Sequence, residues 1–416
     1  MLKNSFIYII AEIINKAIPF LLLPLLTKYL SPYDYGVIAS FSAFVGFVYL
    51  FINFGMHGVV NVNFFKMSQI RLNQYMASIF FVLISISLLI FFIVYMIQRP
   101  LSSYLLLDKE WLYLGVIVAS SKVVSILHLT IWIAEKKPKA YGIYQITQTI
   151  LSTLMVIVFI IGYHYDWKGQ VISLTISSIA FAIFSLSFFY KRDALYINYN
   201  KRDIKDILHF GLPMIPHQLS SWIISSGDRL LLIGMIGASA TGLFSVGYQI
   251  GMVMSVVVMA FQKVWNPFIY EKLSQNIDKS TKIKIIKWTY LYFIFLIMMV
   301  FFLNQIAYYI FSYWIDPKFI DSYKYVIYIL VMYALNGMYF MVVSYLFYFK
   351  KTKVLALITF SNALLHILLS YIFILFYGAI GVAYSGIISY CIMFIAVWVY
   401  SYKIYPMPWN FIRWKI

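Results

Sequence analysis

Five charged residues stand inside long apolar stretches of this chain: Glu12, Lys16, Lys122, Asp228 and Arg229. They are the residues whose type and position could do chemistry. A charge at the centre of a bilayer costs at least ~2.5–3.5 kcal/mol on insertion scales, so such a residue faces a water-filled cavity or a partner. Glu12 and Lys16 are four residues apart, on one face of a helix and in the order that favours an ion pair. Asp228 and Arg229 are adjacent, so on a helix they point in different directions. That lets Asp228 pair elsewhere and leaves Arg229 for a ligand. Lys122 falls in the middle of its run. Together Lys16, Lys122 and Arg229 describe a cationic lumen for an anionic substrate. The competing reading is structural neutralisation, with Glu12–Lys16 the obvious pair. Glu12 and Asp228 are the two acids within the runs and become the candidates for coupling transport to an ion gradient. His128, His217 and His366 also fall within runs. A lone buried histidine is more often a helix-packing group than a proton carrier.

Other chemistries lack their residues. The sequence has no phosphate-binding loop, no metal-ligand cluster and no nucleophile elbow. No cofactor and no metal are therefore expected, and the chain does not read as an enzyme. Its single cysteine, Cys391, excludes a disulfide framework.

The elements that must position these charges follow from composition. Of 416 residues, 63% are hydrophobic and only 11% charged, with a mean hydropathy of +0.86. A soluble domain is nearer half apolar and a quarter charged. In lipid every backbone polar group must be satisfied internally, which leaves helices and closed barrels. The apolar runs are continuous and about twenty residues long, the length of a spanning helix. Twelve such runs fit between residues 5 and 402. The first lacks a small-residue cleavage site after it and reads as a retained span.

The net charge of +18 would suit a nucleic-acid partner, but the placement of the charges does not. Twenty-three Lys and Arg residues fall in one set of alternate connectors and the two ends, and six in the other set. That asymmetry is the positive-inside pattern, and it predicts twelve spans with both termini cytoplasmic. The outer connectors are short and leave little room for an external active site. The basic connectors 191–206 and 266–287 read as solvated linkers near anionic headgroups.

The chain also repeats itself. FFKMSQ (64–69) aligns with YEKLSQ (270–275), and YLSPYDYGVIASF (29–41) with MIGASATGLFSVG (235–247), which superposes Gly36 on Gly242 at an offset of 206. KKPKA (136–140) aligns with KKTKV (350–354). The ordered set predicts two six-helix bundles, residues 1–205 and 206–416, around a central cavity. With an even number of spans in each half, this is a parallel repeat of the kind found in transporters. Each half opens on an interrupted helix, with Pro19 and Pro24 in the first and Gly211, Pro213 and Pro216 in the second. Interrupted helices at matching positions point to the transport path.

Several segments carry a family resemblance. NKAIPFLLLPLLTKYLSPYDYGVIASF (15–41), FGLPMIPHQLSSWIISSGDRLLL (210–232), GLFSVGYQIG (242–251) and FQKVWNPFIYEKL (261–273) resemble bacterial polysaccharide repeat-unit flippases of the O-antigen type. Their superfamily also contains MATE-type drug exporters and the lipid II flippase. The resemblance implies an all-α membrane protein of twelve transmembrane helices in two bundles. It implies a carrier of undecaprenyl-pyrophosphate-linked oligosaccharide in the bacterial inner membrane, with membrane lipid around it. Polysaccharide polymerase and chain-length proteins are the further partners it suggests. The rival reading is a MATE-type drug/ion antiporter. A carrier of organic cations would be expected to show acids in its lumen, whereas this one has three bases against two acids.

Overall fold

The computed structural model describes residues 2–195, 199–275 and 278–410, with side chains from Ala11 onward except those of Glu12 and Lys16. Among the described residues there is no strand. The chain runs through α1 (Leu2–Tyr29), α2 (Pro32–Asn53), α3 (Met56–Phe64), α4 (Gln69–Met96), α5 (Gln98–Leu105), α6 (Lys109–Ala134), α7 (Pro138–Val156) and α8 (Asp166–Tyr190). It continues through α9 (Lys201–Trp222), α10 (Asp228–Met235), α11 (Ala238–Gly251), α12 (Val253–Leu273), α13 (Lys279–Tyr313), α14 (Tyr323–Tyr348), α15 (Thr352–Tyr377) and α16 (Gly381–Ile404). Among the described residues, nine helical segments are long and apolar enough to cross a membrane. One of them, Thr352–Ile404, has 53 residues. It breaks at Gly378, whose φ of +64° is open to glycine without strain, so that α16 folds back along α15.

Helix starts are set by local chemistry. Ser31 and Asp34 form a reciprocal capping box: the Asp34 amide donates to Ser31 Oγ and the Ser31 amide to Asp34 Oδ2, at 3.2 and 2.8 Å. Pro32 occupies the first helical position, where its missing N–H costs nothing. Phe54 and Gly55, both left-handed at φ +46° and +71°, separate α2 from α3.

Two compact units emerge, Met1–Gly242 and Leu243–Ile416. Within the first, α6 is the central helix, packed on α2, α4 and α8, while α7 packs on α1 and α8. Within the second, α14 takes that place, packed on α12, α13 and α16, and α15 packs on α16. The packing of the central helix on three others, and of its successor on the following helix, thus recurs in the same chain order. This is the structural counterpart of the sequence repeat. Interiors are rich in small hydroxyl residues (Ser173, Ser178 and Ser185 in α8, Ser385 and Ser389 in α16), as helix pairs need in lipid.

The units divide at Gly242 rather than at the start of the second repeat, because α9 and α10 pack on α2, α3, α4 and α5. A Cβ on Gly211 would lie 2.1 Å from the Phe54 ring, and Met214 covers Gly55. The Trp222 ring meets Phe47 at 5.1 Å. Tyr104 in α5 donates a hydrogen bond to the Leu230 carbonyl at 2.9 Å. Beyond α10, the start of α11 crosses the start of α2 so closely that a Cβ on Gly36 would fall 1.8 Å from the Ala238 carbonyl oxygen. A Cβ on Gly242 would fall 1.9 Å from that of Pro32. Pro32 and Gly36 stand 206 residues before Ala238 and Gly242, so repeat-related residues meet reciprocally.

Of the connector 191–206, expected to be solvated, the described Lys191, Lys201, Arg202 and Lys205 are exposed, while two acids in its last turn, already part of α9, dock on α4. Arg71 at the head of α4 grips Asp203 with both guanidinium branches, one at 2.8 Å, and Asp203 is only 4% exposed. Tyr75, one turn on, donates to Asp206 at 2.6 Å. Polar residues of the connector lie opposite partners on α4, and sequence spacing does not report partners more than a hundred residues away. At the end of α6, Glu135 pairs with Lys137 and with Arg192, whose guanidinium lies over Phe188.

Burial by itself would raise the Glu135 pKa, but hydrogen bonds from Arg192 and Lys137 outweigh it and hold the carboxyl below its ordinary value. A depressed carboxylate adds stability that is fully present above its unfolded pKa and is lost as pH falls through the folded one. The thermal midpoint of the purified protein is therefore expected to drop as pH falls below about 4.5, the unfolded value. Glu135→Gln should lower the midpoint at pH 7 and flatten the acid limb. An unchanged midpoint at pH 7 would show that the clamp contributes nothing.

Candidate functional site

The segment from Lys201 to Met235 is where the sequence departs most from a plain apolar span. Asn200 caps α9 by accepting from the Arg202 amide at 2.9 Å. Pro213 and Pro216 then interrupt the helical ladder. Each removes an N–H and frees a carbonyl one turn earlier. The helix next widens into a π turn over Ile223–Gly227 before α10 begins at Asp228. Such turns insert a residue, re-aim the side chains beyond them and are frequent at functional sites. Hydroxyls back-bond along the weakened stretch, from Ser220 to the Pro216 carbonyl at 2.7 Å and from Ser221 to that of His217 at 3.3 Å.

One face of this segment is buried on its neighbours through Ile207, Gly211, Ser220 and Ile223. The other is polar and open. His217, Ser221 and Ser225 are exposed and four residues apart, and Arg229, a further four along, is partly exposed. The π turn between Ser225 and Arg229 lets the Arg229 guanidinium fold back, donating from Nη1 to the Ser225 carbonyl at 2.7 Å. Asp228 is buried at 4% exposure. The two adjacent residues therefore face different surroundings, and both make further polar contacts. Exposed hydroxyls, an imidazole and a guanidinium along one helical face are compatible with water, not with lipid.

Lys122 stands at the midpoint of α6, partly buried, and among the described residues it makes no ion pair. Among the described residues, no hydrogen bond or ion pair joins Lys122 to Asp228 or Arg229. The backbones of Glu12 and Lys16 belong to α1, but their side chains lie outside the described residues. Next to Lys16, Asn15 donates to Gln145 Oε1 and accepts from Thr149, both at 3.0 Å, forming a polar ladder between α1 and α7. His128 and His366 are packing groups. Their Nδ1 atoms pair with Ser185 and Ser389 at 3.0 and 3.1 Å, and the His128 ring stacks on Phe188 at 3.8 Å. Among the described residues no group of three or more His, Cys, Asp or Glu could hold a metal.

Sequence reasoning passed over several polar residues. Asn53, buried at the α2–α3 break, bonds to His57 at 3.0 Å and reaches Gln218 on α9 at 3.4 Å. The signal for His217, Ser221 and Ser225 was present as a four-residue period leading to Arg229. It is weak because serine is also ordinary in packed membrane helices.

The helices, nine segments of them long and apolar enough to cross a membrane among the described residues, define a multi-pass helical membrane protein. The chain belongs to the polysaccharide biosynthesis protein family, whose model matches residues 1–272. It is 23% identical over 393 residues to Lsg locus putative protein 1 of Haemophilus influenzae, across 93% of this chain and 94% of that one. Its fold is similar to that of the lipid II flippase MurJ in an inward closed conformation, with a TM-score of 0.76 at 15% identity over 97% of this chain and 88% of that one. It is also similar to that of a multidrug resistance MATE family transporter of the MOP superfamily in an inward-facing conformation. There the TM-score is 0.74 at 15% identity over 94% and 98% of the two chains. The resemblance read from residues 15–41, 210–232, 242–251 and 261–273 is borne out at the level of family and fold.

Proposed function

We propose that this protein is a flippase that moves undecaprenyl-pyrophosphate-linked oligosaccharide, the repeat unit of an O-antigen or similar polysaccharide, from the cytoplasmic to the periplasmic leaflet of a bacterial inner membrane. The observation that carries this reading is the open polar face of α9 ending at Arg229, in a chain of a polysaccharide biosynthesis family. The sugar and diphosphate would pass along that face while the prenyl tail stays in lipid. Lys122, Lys16 and Arg229 would bind the anionic group, and Glu12 and Asp228 would couple transport to a proton or sodium gradient. The working topology counts α1 and the α9–α10 segment as crossings and divides the 53-residue stretch in two. That gives twelve, with both termini cytoplasmic and residues 1–205 and 206–416 alternating access as repeat halves. Polysaccharide polymerase and chain-length proteins would act next on the product.

The MATE-like fold keeps a drug/ion antiporter as the second reading. Proteoliposomes decide between them. A lipid-linked oligosaccharide should flip, faster under an imposed pH or sodium gradient, while an organic cation dye should not accumulate. Glu12→Gln and Asp228→Asn should each blunt the response to the gradient. Transport of the dye without flipping of the lipid would replace the flippase by the antiporter. A full gradient response in both variants would remove the two acids from coupling.

A further inference from the structure

The second unit carries a groove between α16 and the turn that follows it, beside α13, that the proposed transport does not use. Phe293 of α13 meets Phe394 and Trp398 of α16 at 5.6 and 6.1 Å, which joins the two helices at the floor. After Ile404 the chain turns back, and the Trp409 carbonyl accepts a hydrogen bond from Tyr290 of α13 at 2.8 Å. The turn closes one end of a cavity of about 380 Å³ lined by Trp398, Val399, Tyr402, Met407, Trp409 and Asn410. That volume falls within the ~300–1,000 Å³ of ordinary ligand sites, and the lining is mostly aromatic and apolar.

The groove is open on its membrane side. Val399 is 51% exposed, and Ile395, Ile392 and Ile388 extend the same exposed apolar stripe of α16 away from it at three- and four-residue spacing. Its closed end is basic. At 35 residues, α13 is about 52 Å long at 1.5 Å per residue, well beyond the ~30 Å hydrocarbon core. Its first turns carry Lys279, Lys282, Lys284 and Lys287, followed by the exposed interfacial Trp288. Lys282 Nζ lies 4.6 Å from the Tyr405 ring in the turn, and the exposed Lys403 stands beside Tyr402. Asp278 is the acid at this end, and its carboxylate already caps α13 by accepting from the Thr281 amide at 3.1 Å.

An apolar slot leading from lipid to a lysine cluster at headgroup level matches an amphiphile with an anionic head. We propose that this groove holds an anionic phospholipid, with one acyl chain in the slot below Trp398 and Trp409 and its phosphate at Lys282 and Lys403. The lysines supply the selectivity. Each is worth about fivefold in affinity for an anionic headgroup.

The test uses the purified, delipidated full chain, phosphatidylglycerol and phosphatidylcholine of matched acyl chains, and native mass spectrometry. Wild type should retain phosphatidylglycerol and not phosphatidylcholine. Lys282→Gln and Lys403→Gln should each cut retention about fivefold. Val399→Trp, which fills the exposed mouth without removing a packed side chain, should abolish retention. The lipid-free thermal midpoint reports whether each variant is folded. Equal retention of both lipids, or undiminished retention by folded Val399→Trp, overturns the proposal. Retention only after deletion of residues 411–416 would make the chain's own end the occupant and would equally overturn it. None of these readouts depends on transport, so they stand or fall separately from the flippase reading.

Discussion

Gly36→Ala and Gly242→Ala should each destabilise the protein by on the order of 3 kcal/mol, the upper range for overpacking, and the double variant should cost little more than either alone. A methyl on Gly36 would stand 1.8 Å from the Ala238 carbonyl oxygen, and one on Gly242 would stand 1.9 Å from that of Pro32. Both obstacles are backbone, so no side chain can rotate away and the two helices must separate. Once one methyl has forced them apart, the second finds space already made. Independent sites would instead add. Gly162→Ala is the control. A Cβ there meets nothing within 4 Å, and alanine is the better helix former. Thermal midpoints in detergent and membrane protein levels read the effect. A wild-type midpoint in Gly36→Ala would show that the crossing is looser than the structure has it, and full additivity would show that the two glycines do not share one contact.

Arg229→Ala should reduce flipping by about ten- to a hundredfold, the equivalent of one charge-assisted hydrogen bond of ~1.5–3 kcal/mol to the diphosphate. Arg229→Lys should keep a fraction of the rate, because lysine retains the charge but loses the paired donors that grip a phosphate. Arg229 is partly exposed, and one of its bonds goes from Nη1 to a carbonyl of its own helical segment. If Arg229 serves the substrate, folded protein should stay near wild-type levels. Asp228 behaves differently. It is buried, so Asp228→Asn is expected to lower the folded fraction as well as the gradient response. Surface polysaccharide and membrane protein level, measured together, separate the two cases. Normal polysaccharide from well-expressed Arg229→Ala and Lys122→Ala would remove both residues from the substrate path. A parallel loss of protein and polysaccharide in Arg229→Ala would make it a structural residue.

The apolar runs were enough to define a helical membrane protein, because they are set by local rules, as are the charges of the connectors and the prolines. Hydrophobic length decides a span, charge placement reports the inside, and prolines mark where a ladder must break. Arg229 and Lys122 stood out in the sequence for the same reason, a charge in lipid being costly wherever it lies, and their role is for the flipping assays to decide. The repeat even paired Gly36 with Gly242, though alignment alone gave no hint that the two would touch. What the tertiary structure decided are the contacts between distant positions. Arg71 finds Asp203 across 132 residues, and Asn53 reaches Gln218 across 165. Composition had placed the lysines of the 191–206 connector in solvent, where the described ones are, but gave no sign that Asp203 would be buried on Arg71. The repeat places α9 at the start of the second half, and its packing on α2 was not legible from that, because helix association in lipid follows close side-chain fit rather than order along the chain. The π turn that separates Ser225 from Arg229 also had no sequence signature. It arises where the backbone absorbs one extra residue, and only the neighbouring helices fix where that happens.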